Sequence, residues 1–231
     1  MQDIINRINK NFYNKQYKNF SKTRVSPWKG WETLLPYIKN MKKQKKDIKI
    51  LDLGCGNARF LSFLVKRNID IEYEGWDFSS KLIKEAKKIN KHDTKARFKI
   101  IDITKKIEIN DKYDIITLFG VSHHLEKKYL NKLLSKIQNR LNINGLLFIS
   151  FWQIYKNKDK FNKLKYKKLK GNSIFLLKWQ NSKDLRTYIK YTEKDIVNLV
   201  KKLKSLKIER VFENEGKERN LNYYLILKKL K

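Results

Sequence analysis

The chain has a single cysteine, Cys55, in 231 residues. That excludes an internal disulfide framework and a cysteine-rich zinc site. Its two prolines, Pro27 and Pro36, both lie near the start, and no Pro/Gly/Ser-rich linker or internal repeat divides the sequence. One α/β domain with an N-terminal addition is therefore expected. Apolar runs are short: Leu146 to Trp152 is far below the ~20 residues that span a bilayer. The opening Met1-Gln2-Asp3-Ile4 lacks a basic segment followed by an apolar one, so no secretory signal is read and a soluble, cytoplasmic protein is expected. Acidic residues are scarce, 23 against 55 Lys and Arg, for a formal net charge of +32. A field of that sign attracts polyanions and makes nucleic acid the expected partner. A membrane surface is the lesser alternative, because no segment forms a clean basic amphipathic anchor. AT-rich genomic bias would also enrich Lys, Asn and Ile, but it would enrich Glu too, and acids remain few.

What is present suffices for a core: 41% of residues are hydrophobic and 13% aromatic. Ile4, Ile5, Ile8, Phe12 and Tyr13 recur at helical spacing over 1–20. Ser26-Pro27-Trp28-Lys29-Gly30 breaks the pattern, and a second helix is predicted from Trp31 to Lys43. From Asp47 strands and helices alternate. Strands are predicted at 47–53, 69–76, 96–101, 113–119 and 146–152, and helices at 58–66, 79–89 and 125–141. The last of these helices stops at Asn142-Ile143-Asn144-Gly145. Residues 155–190 read as basic and irregular, with a weak helical signal at 158–169. Thr192-Glu193-Lys194-Asp195 starts a helix that Ile196 to Leu203 continues. Two strands, 207–213 and 222–227, flank the turn Asn214-Glu215-Gly216-Lys217. The expectation is a doubly wound, mostly parallel seven-stranded sheet with an antiparallel C-terminal hairpin. Residues 1–46 form a helical extension and 47–231 the main domain, with a substrate-facing insertion at about 155–190.

The segment Leu51-Asp52-Leu53-Gly54-Cys55-Gly56-Asn57-Ala58 carries the sharpest chemical signal. A buried strand ends in an acid, two glycines allow close backbone approach, and a helix follows. A dinucleotide fold would need G-x-G-x-x-G, but Arg59 occupies the last place. The segment instead resembles the acidic-x-G-x-G-x-G turn of class I S-adenosylmethionine (SAM) dependent methyltransferases, with Ala58 replacing the last glycine. Asp77 ends the second predicted strand, where a carboxylate can accept both ribose hydroxyls. Asp102 ends the third, where the family contacts the adenine amino group with help from the next amide. The resemblance implies SAM as cofactor, held by Asp52, Gly54, Cys55, Gly56, Asn57, Asp77, Phe78, Asp102, Ile103 and Phe119. A lone strand-end Asp is more often a cap or turn former, but two in order are less readily accidental. Cys55 reads as a small turn residue, because no triad partner is evident.

The fourth strand leads into Phe119-Gly120-Val121-Ser122-His123-His124-Leu125. Adjacent histidines do not share a helix face, and the only other histidine is His92, so no metal site is expected. Substrate contact or a structural hydrogen bond remain open for His123 and His124.

Over nearly its full length the chain also resembles the tRNA wobble-uridine methyltransferases that esterify 5-carboxymethyluridine. Thr23-Arg24-Val25-Ser26-Pro27-Trp28 is similar to that family's T-R-x-x-P-W segment. The G-C-G-N turn and the His pair match as well. Lys178-Trp179-Gln180 and Arg186-Thr187-Tyr188 resemble its basic, aromatic region, with departures at Thr187 and Ile189-Lys190. The resemblance implies tRNA as partner, and eukaryotic relatives act with a small zinc-binding activator subunit. A carboxylate acceptor is already ionised at pH 7 and needs orientation rather than a general base. Arg24, Arg186, His123, His124 and Tyr188 are the candidates for that work, and Trp28 could stack on a base. Arg24 and Trp28 could equally staple the N-terminal helix to the core. Two other functions compete: methylation of a small molecule or protein, and a catalytically silent RNA-binding relative.

Overall fold

The computed structural model describes the chain except residues 106, 172, 180, 181, 217 and 231, and the side chain of residue 170. Gln180 and Lys217, used in the sequence reading, lie outside the described residues. Helix α1 (Gln2–Lys22) is followed by a 3-10 segment at Lys29–Leu34 and by α2 (Leu35–Gln44). The predicted Trp31–Lys43 helix is thus split. Then come β1 (Lys49–Leu53), α3 (Arg59–Val65), β2 (Glu72–Asp77), α4 (Ser80–Ile89), β3 (Ala96–Ile100) and β4 (Tyr113–Leu118). Helix α5 (Lys127–Ile137) leads through a 3-10 turn into β5 (Leu141–Trp152). The region predicted as irregular holds α6 (Lys158–Leu164), β6 (Lys165–Lys170), β7 (Ile174–Lys178) and β8 (Leu185–Ile189). Helix α7 (Glu193–Val200), β9 (Leu206–Asn214) and β10 (Asn222–Lys229) complete the chain.

The large sheet runs β3-β2-β1-β4-β5-β10-β9. Its first five strands are parallel, and β10 is antiparallel to both β5 and β9. The doubly wound, seven-stranded architecture with a C-terminal hairpin is therefore present. Strand order reverses between β1 and β4, and in such sheets ligands bind at the carboxyl ends of the strands beside that switch point. Alternation along β1 and β4 divides the core. Leu51, Leu53, Ile116 and Leu118 pack on one side of the sheet, and Ile50 and Ile115 on the other. Each such fully buried aliphatic contributes roughly 1.5–3 kcal/mol relative to exposure.

Two boundaries differ from the sequence reading. The Asn142–Gly145 stretch does not stop a helix; it lies within β5, with Asn144 at φ 64° and a register shift against β4. The insertion is a second, antiparallel sheet, β6-β7-β8. Ile154, Phe175, Leu177 and Tyr188 form a local cluster with Phe161 of α6 packed against it, while Ile174 and Ile189 join the core of the central sheet. Helix α7 begins with the expected cap, Asp195 N donating to Thr192 Oγ1 and Thr192 N to Asp195 Oδ2. Among the described residues no helix is long and apolar enough to cross a membrane.

Helix α1 docks across the carboxyl ends of the strands, against α4 and β8. The face it buries is Gln2, Ile5, Asn9, Phe12, Tyr13 and Gln16, while Ile4 is exposed. Three of those six are amides, and each is satisfied. Gln2 Nε2 donates to the His124 carbonyl (3.0 Å) and its Oε1 accepts from Glu126 N (2.7 Å). Asn9 exchanges two bonds with Thr187, Nδ2 to Oγ1 (2.8 Å) and Oδ1 from N (2.9 Å). Gln16 donates to Asp184. A buried amide left unpaired costs about 1–3 kcal/mol, so these pairings fix the helix in one position, at Thr187 on β8, at Asp184 just before it and at the His124–Glu126 turn.

Candidate active site

A cavity of about 580 Å³ lies under α1 at the carboxyl ends of β1, β2 and β4. It suits a small-molecule ligand, for which pockets of roughly 300–1,000 Å³ are usual. Every predicted site residue except Tyr188 lines it.

The Gly-rich turn forms one wall. Gly54 has φ +77°, and a side chain there would meet Val121 Cγ2 at 2.1 Å. Gly56 has φ +57° with nothing nearer than Phe20 at 3.8 Å, so its open face belongs to the cavity. Ala58, in the last glycine's place, adopts the left-handed conformation at φ 58°, which costs an L-residue about 1–2 kcal/mol. The missing glycine is thus a retained conformation with a changed residue. Cys55 is buried and its thiol is pushed well up, by burial first and then by Asp77 and Asp52. That makes it an inert turn residue.

Three acids take different places. Asp52 points into the sheet, where Thr117 Oγ1 (2.6 Å) and Tyr73 OH (2.5 Å) donate to its two oxygens. Burial raises it to about 6 despite those bonds. Asp77 is aimed by backbone donors, Gly56 N to Oδ2 (3.0 Å) and Ser79 N to Oδ1 (2.8 Å). Burial raises it, too, to about 6. Asp102 follows β3 on the cavity wall, its Oδ1 accepting from Thr104 N and Thr104 Oγ1. Phe78, Ile103, Asn57 and Phe119 complete this half. The open Gly56 face after β1, Asp77 on the neighbouring β2 and Asp102 beyond β3 follow one another along the sheet, an arrangement that fits a nucleoside with free hydroxyl and amine donors. SAM is such a group.

The other half is cationic and aromatic. Arg186, on β8, is buried, with its guanidinium 4.7 Å from the Trp152 ring, 4.9 Å from Trp179 and 5.8 Å from Phe12. Among the described residues no carboxylate pairs with it. Its polar neighbour is the Tyr13 hydroxyl, and burial lowers its proton affinity. The Nε of Arg186, the Nδ1 of His123 and the Nε1 of Trp179 are buried without a hydrogen-bond partner. His124 Nε2 lies 2.9 Å from Tyr13 OH. Burial lowers both histidines, His124 to about 3, so both imidazoles are neutral at ordinary pH. Among the described residues no group of three or more potential ligands forms a metal site.

Tyr188 is brought to a different place. Its hydroxyl donates to the Trp152 carbonyl (3.0 Å) and its ring lies between Phe161 and Phe175 in the small sheet's own core. It sits two residues beyond Arg186 on β8, directly behind the cavity wall, where its ring also meets Trp152 (5.6 Å) and His123 (6.1 Å). Trp28 lines the cavity but is walled by Trp31, Phe119 and Tyr224. Its edge also closes on Gly120, whose added Cβ would lie 3.2 Å away. The sequence reading missed Tyr13, Arg59, Trp152 and Trp179 as parts of this wall. A signal was available in α1, where Gln2, Asn9 and Gln16 share the spacing of the apolar face. Amides on a buried face mark a helix that docks on backbone rather than on a smooth core.

Residues 51–147 match the family described as methyltransferase domain. The chain is 27% identical over 176 residues to the carboxy-S-adenosyl-L-methionine synthase of Campylobacter jejuni, covering 71% of this chain and 72% of that one. Its fold is similar to a SAM-dependent methyltransferase from Clostridium acetobutylicum, with TM-score 0.67 at 17% identity over 95% and 99% of the two chains. It is similar also to the magnesium protoporphyrin IX methyltransferase of Synechocystis solved with bound SAM, with TM-score 0.64 at 13% identity over 96% of each. The domain match and the fold support SAM-dependent methyl transfer and SAM as cofactor. They do not extend to the narrower wobble-uridine resemblance: the curated relative named here is a carboxy-SAM synthase.

Proposed function

We propose that this protein transfers the methyl group of SAM to a carboxylate, and that the carboxylate is borne by tRNA as a 5-carboxymethyl group on a wobble uridine. The observation that carries the reading is the buried Arg186 guanidinium without an acidic partner. Burying an unpaired cation is costly, and a substrate carboxylate is the group whose geometry a guanidinium fork matches. Bound, the cofactor supplies an electrophilic methyl group on a sulfonium. The chain's residues orient and desolvate the acceptor. Arg186 holds the carboxylate, the Tyr13 hydroxyl and neutral His124 form a polar edge beside it, and Trp152, Trp179 and Phe12 exclude water. Proximity of this kind accounts for much of the barrier reduction in a displacement that needs no proton transfer. The net charge of +32 and the Thr23-Arg24…Pro27-Trp28 segment support RNA as the carrier. So do Lys160 and Lys178 on the cavity wall.

The test is incubation with methyl-labelled SAM and either bulk tRNA or a metabolite extract, followed by mass spectrometry of the nucleosides. Label in tRNA that mild alkali releases is the expected result, because an ester is alkali-labile. Label confined to small molecules overturns the tRNA carrier, and alkali-stable label overturns the carboxylate acceptor. The likeness to carboxy-SAM synthases favours a second reading, in which the carboxylate facing Arg186 is carried on the cofactor's own sulfonium substituent. The mass of the nucleoside released from the purified, heat-denatured protein separates the two.

A further inference from the structure

The small sheet concentrates positive charge on its outer side. From 158 to 170 the sequence holds seven lysines and one acid, Asp159. These residues form α6 and β6. The edges of the small sheet are β6 and β8; α1 covers β8, which leaves β6 as the open edge. Lys158, Lys160, Lys163 and Lys167 are exposed, and among the described residues none of the four forms an ion pair. Lysine commonly guards an edge strand, but that role does not extend to the lysines of α6. Tyr166 stands among them, 56% exposed, with Lys178 Nζ 5.4 Å from its ring centre.

This face begins at the cavity and leads away from it. Lys160 and Leu164 of α6 and Lys178 at the end of β7 line the cavity. Lys165 pairs with Leu177, so β6 starts beside Lys178 and runs outward until it lies opposite Ile174. At about 3.3 Å per residue the strand extends about 17 Å, the span of several nucleotides. Repeated cations around an exposed ring suit a single nucleic-acid strand, with lysines on phosphates and the ring on a base. A membrane surface would instead need apolar side chains to insert, and Leu169 of β6 is partly buried against the core. We propose that α6 and β6 form the docking face for the RNA strand that carries the acceptor. The acceptor nucleotide enters the cavity, a neighbouring base stacks on Tyr166, and the following phosphates lie along the lysines. This rests on the reading above that tRNA carries the acceptor.

The experiment is fluorescence anisotropy of a labelled tRNA anticodon stem-loop with the full chain over a salt series. A face variant, Lys158→Gln with Lys163→Gln and Lys167→Gln, removes three charges. A control variant, Lys201→Gln with Lys202→Gln and Lys204→Gln, removes three exposed charges at the opposite end of the sheet. There Leu206 pairs with Lys229 of β10, which runs antiparallel to β5, so the control lysines lie near the amino ends of the parallel strands. The face variant should bind about 10- to 100-fold more weakly near 0.1 M salt, with the slope of log affinity against log salt smaller by about 2, at ~0.7 per phosphate contact. The control variant should stay within about threefold of wild type. Tyr166→Ala should weaken binding about 5- to 150-fold with the salt slope unchanged. Calorimetric binding of S-adenosylhomocysteine, equal in all variants, shows that each is folded. Equal losses in the face and control variants, or a face variant or Tyr166→Ala that binds like wild type, overturn the docking face while the tRNA reading stands. Wild-type protein that binds phosphatidylglycerol vesicles through these lysines, and no RNA, overturns both in favour of a membrane surface. Face-dependent RNA binding without methyl transfer overturns the function reading and leaves the docking face standing.

Discussion

Asp77 should make cofactor affinity depend on pH. Burial raises its carboxyl from 3.8 to about 6, against the opposing effect of the Gly56 and Ser79 amides. The folded-state value is above the unfolded one, so the ligand-free fold gains from Asp77 fully below about pH 4. It loses that gain as pH rises through about 6. The difference corresponds to about 3 kcal/mol. Ligand hydroxyls donating to the carboxylate favour its charged form and draw the value back down. Binding near pH 6 therefore releases protons from a half-protonated group, and S-adenosylhomocysteine affinity should climb from about pH 5 and level off above about pH 7. Calorimetry in two buffers of different ionisation heat measures both quantities. Asp77→Asn should abolish the proton release and weaken binding about 10- to 150-fold, the equivalent of a charge-assisted bond worth ~1.5–3 kcal/mol. Asp52 titrates in the same range, but its oxygens are taken by Tyr73 and Thr117, so the Asn variant isolates the Asp77 contribution. A flat affinity between about pH 5 and about pH 7.5 without proton release would refute the reasoning, as would an Asn variant that binds like wild type.

Arg186→Met should raise the thermal midpoint, because an unpaired buried cation gives way to an apolar side chain among Trp152, Trp179 and Phe12. A gain of about 1–3 kcal/mol is expected, with methyl transfer lost and S-adenosylhomocysteine binding retained; a lowered midpoint would count against Arg186 as an unsatisfied acceptor site. Gly54→Ala combines a positive φ with a 2.1 Å clash on Val121, and should cost about 2–5 kcal/mol in denaturant unfolding. Val121→Ala on that background should restore part of the stability, and no rescue would mean that the clash is not the cause.

The half of the cavity at the strand ends was legible because its signals are local. Gly54, Gly56, Asp77 and Asp102 each stand at or just past the end of a strand that can be read directly. The half around Arg186 was not, for a physical reason. Strand β6 reads Lys-Tyr-Lys-Lys-Leu-Lys, with no alternating apolar face, so periodicity does not mark it as a strand even though its partner β7 follows after a short turn. Arg186 was found only through resemblance to a motif, and the same motif brought in Tyr188, which stands behind the cavity wall against Trp152 and His123. Helix α1 was predicted, but its register was off at Ile4, because the amides at Gln2, Asn9 and Gln16 do not count as apolar in a periodicity argument. The stop expected at Asn142–Gly145 is a real backbone irregularity, with Asn144 at positive φ, absorbed by a strand instead of ending a helix.

The two sides of the cavity have separate structural origins. The parallel sheet supplies the Gly-rich turn, with Asp77 and Asp102 at and beyond its strand ends. Arg186 comes from β8 of the small sheet, Trp179 from the turn after β7, and Tyr13 from a helix clasped on by amides. The two sheets are nevertheless joined: Ile174 and Ile189 pack in the same core as Leu51 and Ile116, while Phe175, Leu177 and Tyr188 form a smaller cluster of their own. A substitution at Ile174 or Ile189 is therefore felt by the central sheet and the Arg186 wall together, whereas one at Phe175 or Leu177 stays within the smaller cluster.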